Sequence, residues 1–345
     1  MPKCVMLEKG VSIQMDGTLS PCCQFVWQDD SHTKDYKTFI KVRQEKNELM
    51  QSSEQYIPEC DWCRKDTENN GESIRDVLNE KVTGTYLELW LNNTCNLACR
   101  MCNGFLSSSW LSNIKNNPQL NFDKIYKSDV PGANIKLDNV KDIYNQLDNV
   151  RHLKILGGEP FLMKEVHKTL THVIDGGLSK NIHLDLTTNL TQPISNFWIK
   201  TFKSFKSVHV NGSVDGINDR YEYIRPGATF KTVVKNAEIM RGFVETIDNF
   251  SFLISCCGQT LSASQNSEII QFWNKKDIHV EIETIYDPDF MSYKSLHPNL
   301  REKFGIKTNL DYDPVMLEKL KNQMSVQDKL HGTNFQESCP ELNDL

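Results

Sequence analysis

The chain has 345 residues, 39% hydrophobic and 24% charged, with 39 basic against 45 acidic side chains and a net charge of −6. Together with a mean hydropathy of −0.49 and no apolar run approaching a membrane span, this globular composition argues against an integral membrane protein, and the charge balance gives no general nucleic-acid footprint. The opening residues MPKCVMLEKG hold no apolar signal core, so a cytoplasmic location is expected, where eleven cysteines read as metal or redox ligands rather than disulfides.

Residues 1–82 form the first expected unit. GVSIQMDGTLSPCC places an Asp16-Gly17 turn between two short alternating runs, a hairpin signal, and a polar helix-like stretch from about Phe39 to Ser52 precedes a CxxC at Cys60 and Cys63. So few apolar residues cannot close a core unaided, and a small metal-stapled module is expected. From 83 to 290, β-rich runs alternate with helix-length stretches, the order of a parallel sheet with crossover helices. The runs number six: 85–91, 152–158, 181–188, 207–214, 250–257 and 278–285. Helices are expected over Lys164 to Asp175, Thr191 to Phe205, Phe230 to Thr246 and Ser264 to Lys275. A further helix, Leu137 to Leu147, is expected after a Pro-Gly break at residues 131 and 132. Residues 291–345 are polar, with prolines at 298, 314 and 340, and read as a helical tail or lid. The fold class is therefore α/β.

NNTCNLACRMCNGF, residues 92–105, follows the first of these runs with Cys95, Cys99 and Cys102. An iron-sulfur cluster that closes its coordination uses four protein ligands; three thiolates on a [4Fe-4S] cluster leave one iron open to an exogenous chelator. A partial zinc knuckle is the other reading of the triplet. CNLACRMC has the CxxxCxxC spacing of the radical S-adenosylmethionine (SAM) superfamily, which it resembles. The resemblance implies a partial (βα)6 barrel of TIM type. It also implies that SAM chelates the open iron, is cleaved by one electron, and yields a 5'-deoxyadenosyl radical that abstracts hydrogen from substrate.

Four later stretches extend the resemblance. ILGGEPF holds Gly157, Gly158 and Glu159 at the end of the second run, where glycine bares the backbone to a ligand and a carboxylate favours a nearby cation. TTN ends at Asn189, and GSVDG contains Ser213 and Asp215. These are the places where similar proteins bind the SAM ribose and carboxylate. Arg225, in YIRPGATF, resembles the arginine that pairs with the SAM carboxylate. Taken singly, each motif also reads as a turn or a surface residue. The family's usual aromatic before the third cysteine is replaced by Met101, whose thioether can pack softly near adenine.

Cys4, Gly17 and Cys22 resemble the opening of the cysteine motif in SPASM and twitch domains, and Cys60 and Cys63 complete four ligands. The cysteines that a full SPASM motif would add downstream are missing before Cys95, so the resemblance implies a twitch module with one auxiliary [4Fe-4S] cluster, placed over the barrel mouth. A four-thiolate zinc site is the alternative. Cys23 is the alternative ligand to Cys22. Alternation points one of Cys256 and Cys257 inward, a packed thiol being the plainer reading, and Cys339 receives no role. By analogy with relatives, the substrate is a ribosomally made peptide or protein, with a small metabolite, sugar or nucleotide as the alternative. The implied electron donor is a flavodoxin or ferredoxin. The reading from another class is a non-catalytic zinc or iron-sulfur scaffold.

Overall fold

The structure is a computed structural model that describes residues 3–28, 32–53, 55–126 and 149–342. The helix expected at 137–147 and the break at 131 and 132 lie outside the described residues.

Eight strands form one sheet: β1 (Gly10–Ile13), β2 (Leu19–Ser20), β3 (Thr85–Trp90), β4 (Val150–Leu156), β5 (His183–Thr188), β6 (Ser207–Ser213), β7 (Phe250–Gly258) and β8 (Val280–Thr284). Their order is β2-β1-β3-β4-β5-β6-β7-β8. Among the strand pairs of the described residues only β1 with β2 is antiparallel, and Gly17 turns this hairpin with φ 88. The six expected runs are β3 to β8. In the first expected unit, β1 pairs in parallel with β3, from Gly10 opposite Tyr86 to Ile13 opposite Leu89.

Register sorts the two faces. Val11, Leu87, Leu153, Leu184, Val208 and Phe250 form one row across six strands. They belong to the main core, with Val166, Leu170 and Val173 of the helix Lys164–Asp175 and Trp198 and Phe202 of the helix Asn196–Ser204. The 3–4 spacing of 166, 170 and 173 makes that helix one-sided, which is why it docks on the sheet. One residue along, on the opposite face, the row reads Ser12, Glu88, Lys154, Asp185, His209 and Ser251. A period of two thus separates an apolar face from a charged one.

The helices Lys164–Asp175 and Phe230–Thr246 match expectation. The helix expected from Thr191 starts only at Asn196. Asn189 Oδ1 accepts from the Thr191 backbone and hydroxyl at 3.0 and 2.6 Å, and this local turn competes with helix, while Pro193 has no N–H to give.

The N-terminal segment has its own small core of Cys4, Val5, Met6, Leu7, Phe25, Met50 and Ile57, joined to the sheet through Tyr86. It also reaches the far edge: the ring of Trp62 meets Tyr286, just past β8, with centroids 6.0 Å apart. Leu320 and Met324 of the helix Pro314–His331 share a core with Ala98, Trp110 and Tyr126, beside the three-cysteine loop. Among the described residues no helix is long and apolar enough to cross a membrane.

Candidate functional site

Strands β3 to β8 run parallel, so the segments that follow them emerge at one edge of the sheet, where α/β proteins gather their chemistry. The loop carrying Cys95, Cys99 and Cys102 leaves β3, Gly157 and Gly158 leave β4, Asn189 leaves β5, and Ser213 to Asp215 close β6.

The cysteine loop is held by its own polar atoms. The Cys95 N–H donates to Ser108 Oγ at 3.1 Å, the Ser109 hydroxyl donates to the Cys95 carbonyl at 2.8 Å, and Trp110 Nε1 donates to the Cys99 carbonyl at 2.9 Å. Ser107 caps the helix Ser108–Asn116 and donates to the Leu97 carbonyl at 2.6 Å. This helix start pins the loop from beneath.

Both glycines after β4 are required by the chain itself. A Cβ on Gly157, where φ is 114, would lie 2.4 Å from the Asn92 carbonyl oxygen, and one on Gly158 would lie 2.2 Å from that of Thr94. The space left by the missing side chains is filled by backbone just ahead of Cys95.

The Glu159 carboxylate is buried and fully engaged. It accepts from the Thr188 hydroxyl at 2.8 Å and from the backbone N–H groups of Phe161 and Asn189 at 3.1 and 2.7 Å. Burial pushes it up to about 7 against the pull of these donors. Glu159 therefore ties the GGEP turn to the Asn189 loop. Asn189 in turn extends Nδ2 to Asn96 Oδ1 at 3.0 Å and to Cys95 Sγ at 3.9 Å.

Arg225 and Asp215 form a buried pair, Nε to Oδ2, at 2.6 Å. The second oxygen of Asp215 accepts the Cys257 N–H at 2.7 Å, and Arg225 Nη1 lies 3.7 Å from Cys99 Sγ. Burial opposes the guanidinium's charge, but Asp215 and Cys99 hold it well above its ordinary range. Ser213 sits half-buried beside them at the end of β6. Met101 packs between the main core and the tail's core.

Burial pushes Cys99 up to about 12 and Cys102 higher still, Arg225 lowers both, and Cys95 raises both. The three thiols therefore lie close enough to feel one another. Among the described residues no three His, Cys, Asp or Glu side chains gather around a single ion's position. A cubane takes each thiolate on a different iron and so asks for a wider spacing of sulfurs than one ion does. Soft thiolates, a nearby guanidinium to offset their charge and an amide N–H on a sulfur suit such a cluster.

The N-terminal cysteines meet elsewhere. Cys4, Cys22, Cys60 and Cys63 line one small cavity with Tyr56 and Arg75. Burial raises all four thiols, Cys63 to about 11, and Cys4 adds to the rise at the other three. Cys23 does not line this cavity. Burial, and then the nearby Glu88 carboxylate, push its thiol up to about 12. Cys256 lies in the main core, whereas Cys257, one position on, shares the charged face with Ser255, opposite Glu283. Cys339 is buried in the tail's core.

No sequence pattern marks Arg100, between Cys99 and Met101. It is fully buried, its guanidinium over the Tyr223 ring at 3.7 Å, and it donates to Asp328 at 2.9 Å and Thr333 at 2.7 Å on the tail.

One edge of the α/β sheet thus gathers three thiols, a diglycine turn and a buried arginine-aspartate pair. Residues 91–261 match the sequence model of the Radical SAM superfamily, and the chain carries a domain of that superfamily. No curated protein matches the chain. Among solved structures, native anSMEcpe with bound AdoMet is 22% identical with a TM-score of 0.45, covering 72% of this chain and 62% of its own. SuiB of Streptococcus suis bound to its precursor peptide SuiA is 15% identical with a TM-score of 0.41, covering 93% of this chain and 61% of its own. The chain thus spans about three-fifths of the length of either protein.

Proposed function

We propose that this chain is a radical SAM enzyme in which Cys95, Cys99 and Cys102 hold a [4Fe-4S] cluster with one iron open to SAM. The observation that carries it is the setting of those cysteines at the C-terminal end of β3. Two of the three sulfurs have N–H donors within 3.9 Å, and the glycines beside them leave room only for the loop's own backbone. When bound, the cluster and SAM supply reductive carbon-sulfur cleavage and hydrogen abstraction from substrate. The chain's own contribution is to hold the thiolates, exclude water from them and offset their charge. Gly157, Gly158, Asn189, Ser213 and Arg225 line the SAM side of this edge, with Glu159 and Asp215 holding the segments that carry them.

Cys4, Cys22, Cys60 and Cys63 hold the auxiliary [4Fe-4S] cluster of a twitch-like module. Their shared cavity supports this set, and the separate placement of Cys23 favours Cys22 as the fourth ligand. The contact of Trp62 with Tyr286 supports a sheet curled into a partial barrel, because a flat sheet would set β1 and β8 about 29 Å apart at ~4.8 Å per strand. A peptide or protein substrate and a flavodoxin or ferredoxin donor rest on the family resemblance. The test is anaerobic purification with metal and product analysis. Iron with sulfide, and 5'-deoxyadenosine formed from SAM under reductant, are expected; zinc in place of iron, without SAM cleavage, would favour a scaffold.

A further inference from the structure

We propose that Arg225 donates a hydrogen bond to the Cys99 thiolate and so raises the reduction potential of the cluster, with Asp215 as the positioning residue that aims it. This rests on the radical SAM reading above and assigns Arg225 a task apart from binding SAM.

The geometry argues for that task. A guanidinium pairs best with a carboxylate through two parallel N–H groups. Here Nε is committed to Asp215 at 2.6 Å and Nη1 is turned to Cys99 Sγ at 3.7 Å. The two contacts use two of the guanidinium's five N–H groups, so the bond to Cys99 is compatible with a further contact to a SAM carboxylate. Asp215 cannot swing aside, since it is fully buried and its other oxygen is fixed by the Cys257 N–H at the end of β7. A buried ion pair is weak evidence for stability, since apolar side chains of equal volume often serve as well; its retention beside a cluster thiol suits an electrostatic role.

The direction follows from charge. Hydrogen bonds to the sulfurs and net charge set cluster potentials, and reduction adds a negative charge beside the guanidinium. Arg225 therefore favours the reduced form. Asn189 Nδ2, 3.9 Å from Cys95 Sγ, acts in the same sense without a charge.

The test is an EPR-monitored redox titration of the full-length, reconstituted, SAM-free protein, following the component that Cys95→Ala lacks. Arg225→Gln is expected to make reduction at least tenfold less favourable, a shift of about 59 mV to more negative potential for one electron. Arg225→Lys keeps the charge and loses the fork, so it should shift less. An unchanged midpoint in Arg225→Gln, with or without weakened SAM binding, overturns the proposal and leaves the radical SAM reading intact; wild-type protein with no such component fails the reading itself. Should Arg225→Gln not hold a cluster, wild-type protein labelled with 15N in its arginine guanidinium groups decides. A 15N coupling to the reduced cluster that Arg225→Lys abolishes supports the proposal, and no coupling in wild type overturns it.

Discussion

Arg100 and Asp328, 228 positions apart, form a buried ion pair at 2.9 Å that ties the cysteine loop to the C-terminal helix. The backbone N–H of Arg100 donates to the Ile224 carbonyl at 2.9 Å, and its backbone carbonyl accepts from the Tyr126 hydroxyl at 2.9 Å. One residue inside the motif thus connects the loop, the arginine-bearing segment and the tail.

Removing Asp328 should strand a buried cation. Asp328→Ala is expected to cost about 3 kcal/mol in urea unfolding of the metal-free protein. It should also speed loss of iron to a chelator. Replacing both partners by leucine should recover most of the stability. A single variant as stable as wild type would show that the tail does not hold the loop.

Gly157→Ala and Gly158→Ala should each displace the loop, because their new methyl groups would meet backbone oxygens at 2.4 and 2.2 Å. Both variants should unfold at lower urea and retain little iron. Gly242→Ala is the control, since a Cβ there meets nothing within 4 Å. In the interior of the helix Phe230–Thr246 it should be neutral or stabilise by up to about 1 kcal/mol.

The parts of this fold legible in the sequence were those written in a short period. Six strands were visible as short β-rich runs, in which core-facing apolar residues alternate with others, as Leu87 and Glu88 do. The helix Lys164–Asp175 was visible from Val166, Leu170 and Val173. Membership of β1 in the same sheet was not legible, because a strand of four residues carries no mark of its partner, and 71 residues lie between Ile13 and Thr85. The triplet cysteines and the GGEP turn were read from their motifs. What those motifs could not show was that Glu159 and Arg225 spend their bonding on the protein, Glu159 on Thr188 and Asn189, Arg225 on Asp215. Arg100 was missed because an arginine between cysteines looks like any surface arginine until its distant acid is known.

Metal analysis of single cysteine variants checks the N-terminal set. Cys63→Ala should lose about half of the iron, the share of one of two equal clusters, while Cys23→Ala, outside the cavity, should keep it. Equal loss in both would move the ligand from Cys22 to Cys23 or break the set.

Glu159 gives a pH dependence of known sign. Burial raises its folded value to about 7 from an ordinary 4.5, so between these values the folded chain binds the extra proton and stability falls as pH rises. The loss is at most about 3 kcal/mol and should be complete above pH about 7. Urea midpoints of the metal-free protein from acid to neutral pH should fall more steeply in wild type than in Glu159→Gln; parallel curves would show that Glu159 does not titrate there.

The central claim is that Cys95, Cys99 and Cys102 hold a cluster at which SAM is cleaved. Wild-type protein, reconstituted and reduced without oxygen, should convert SAM to 5'-deoxyadenosine and methionine, and the variant with all three cysteines changed to alanine should form none. Equal 5'-deoxyadenosine from the triple variant would contradict the claim.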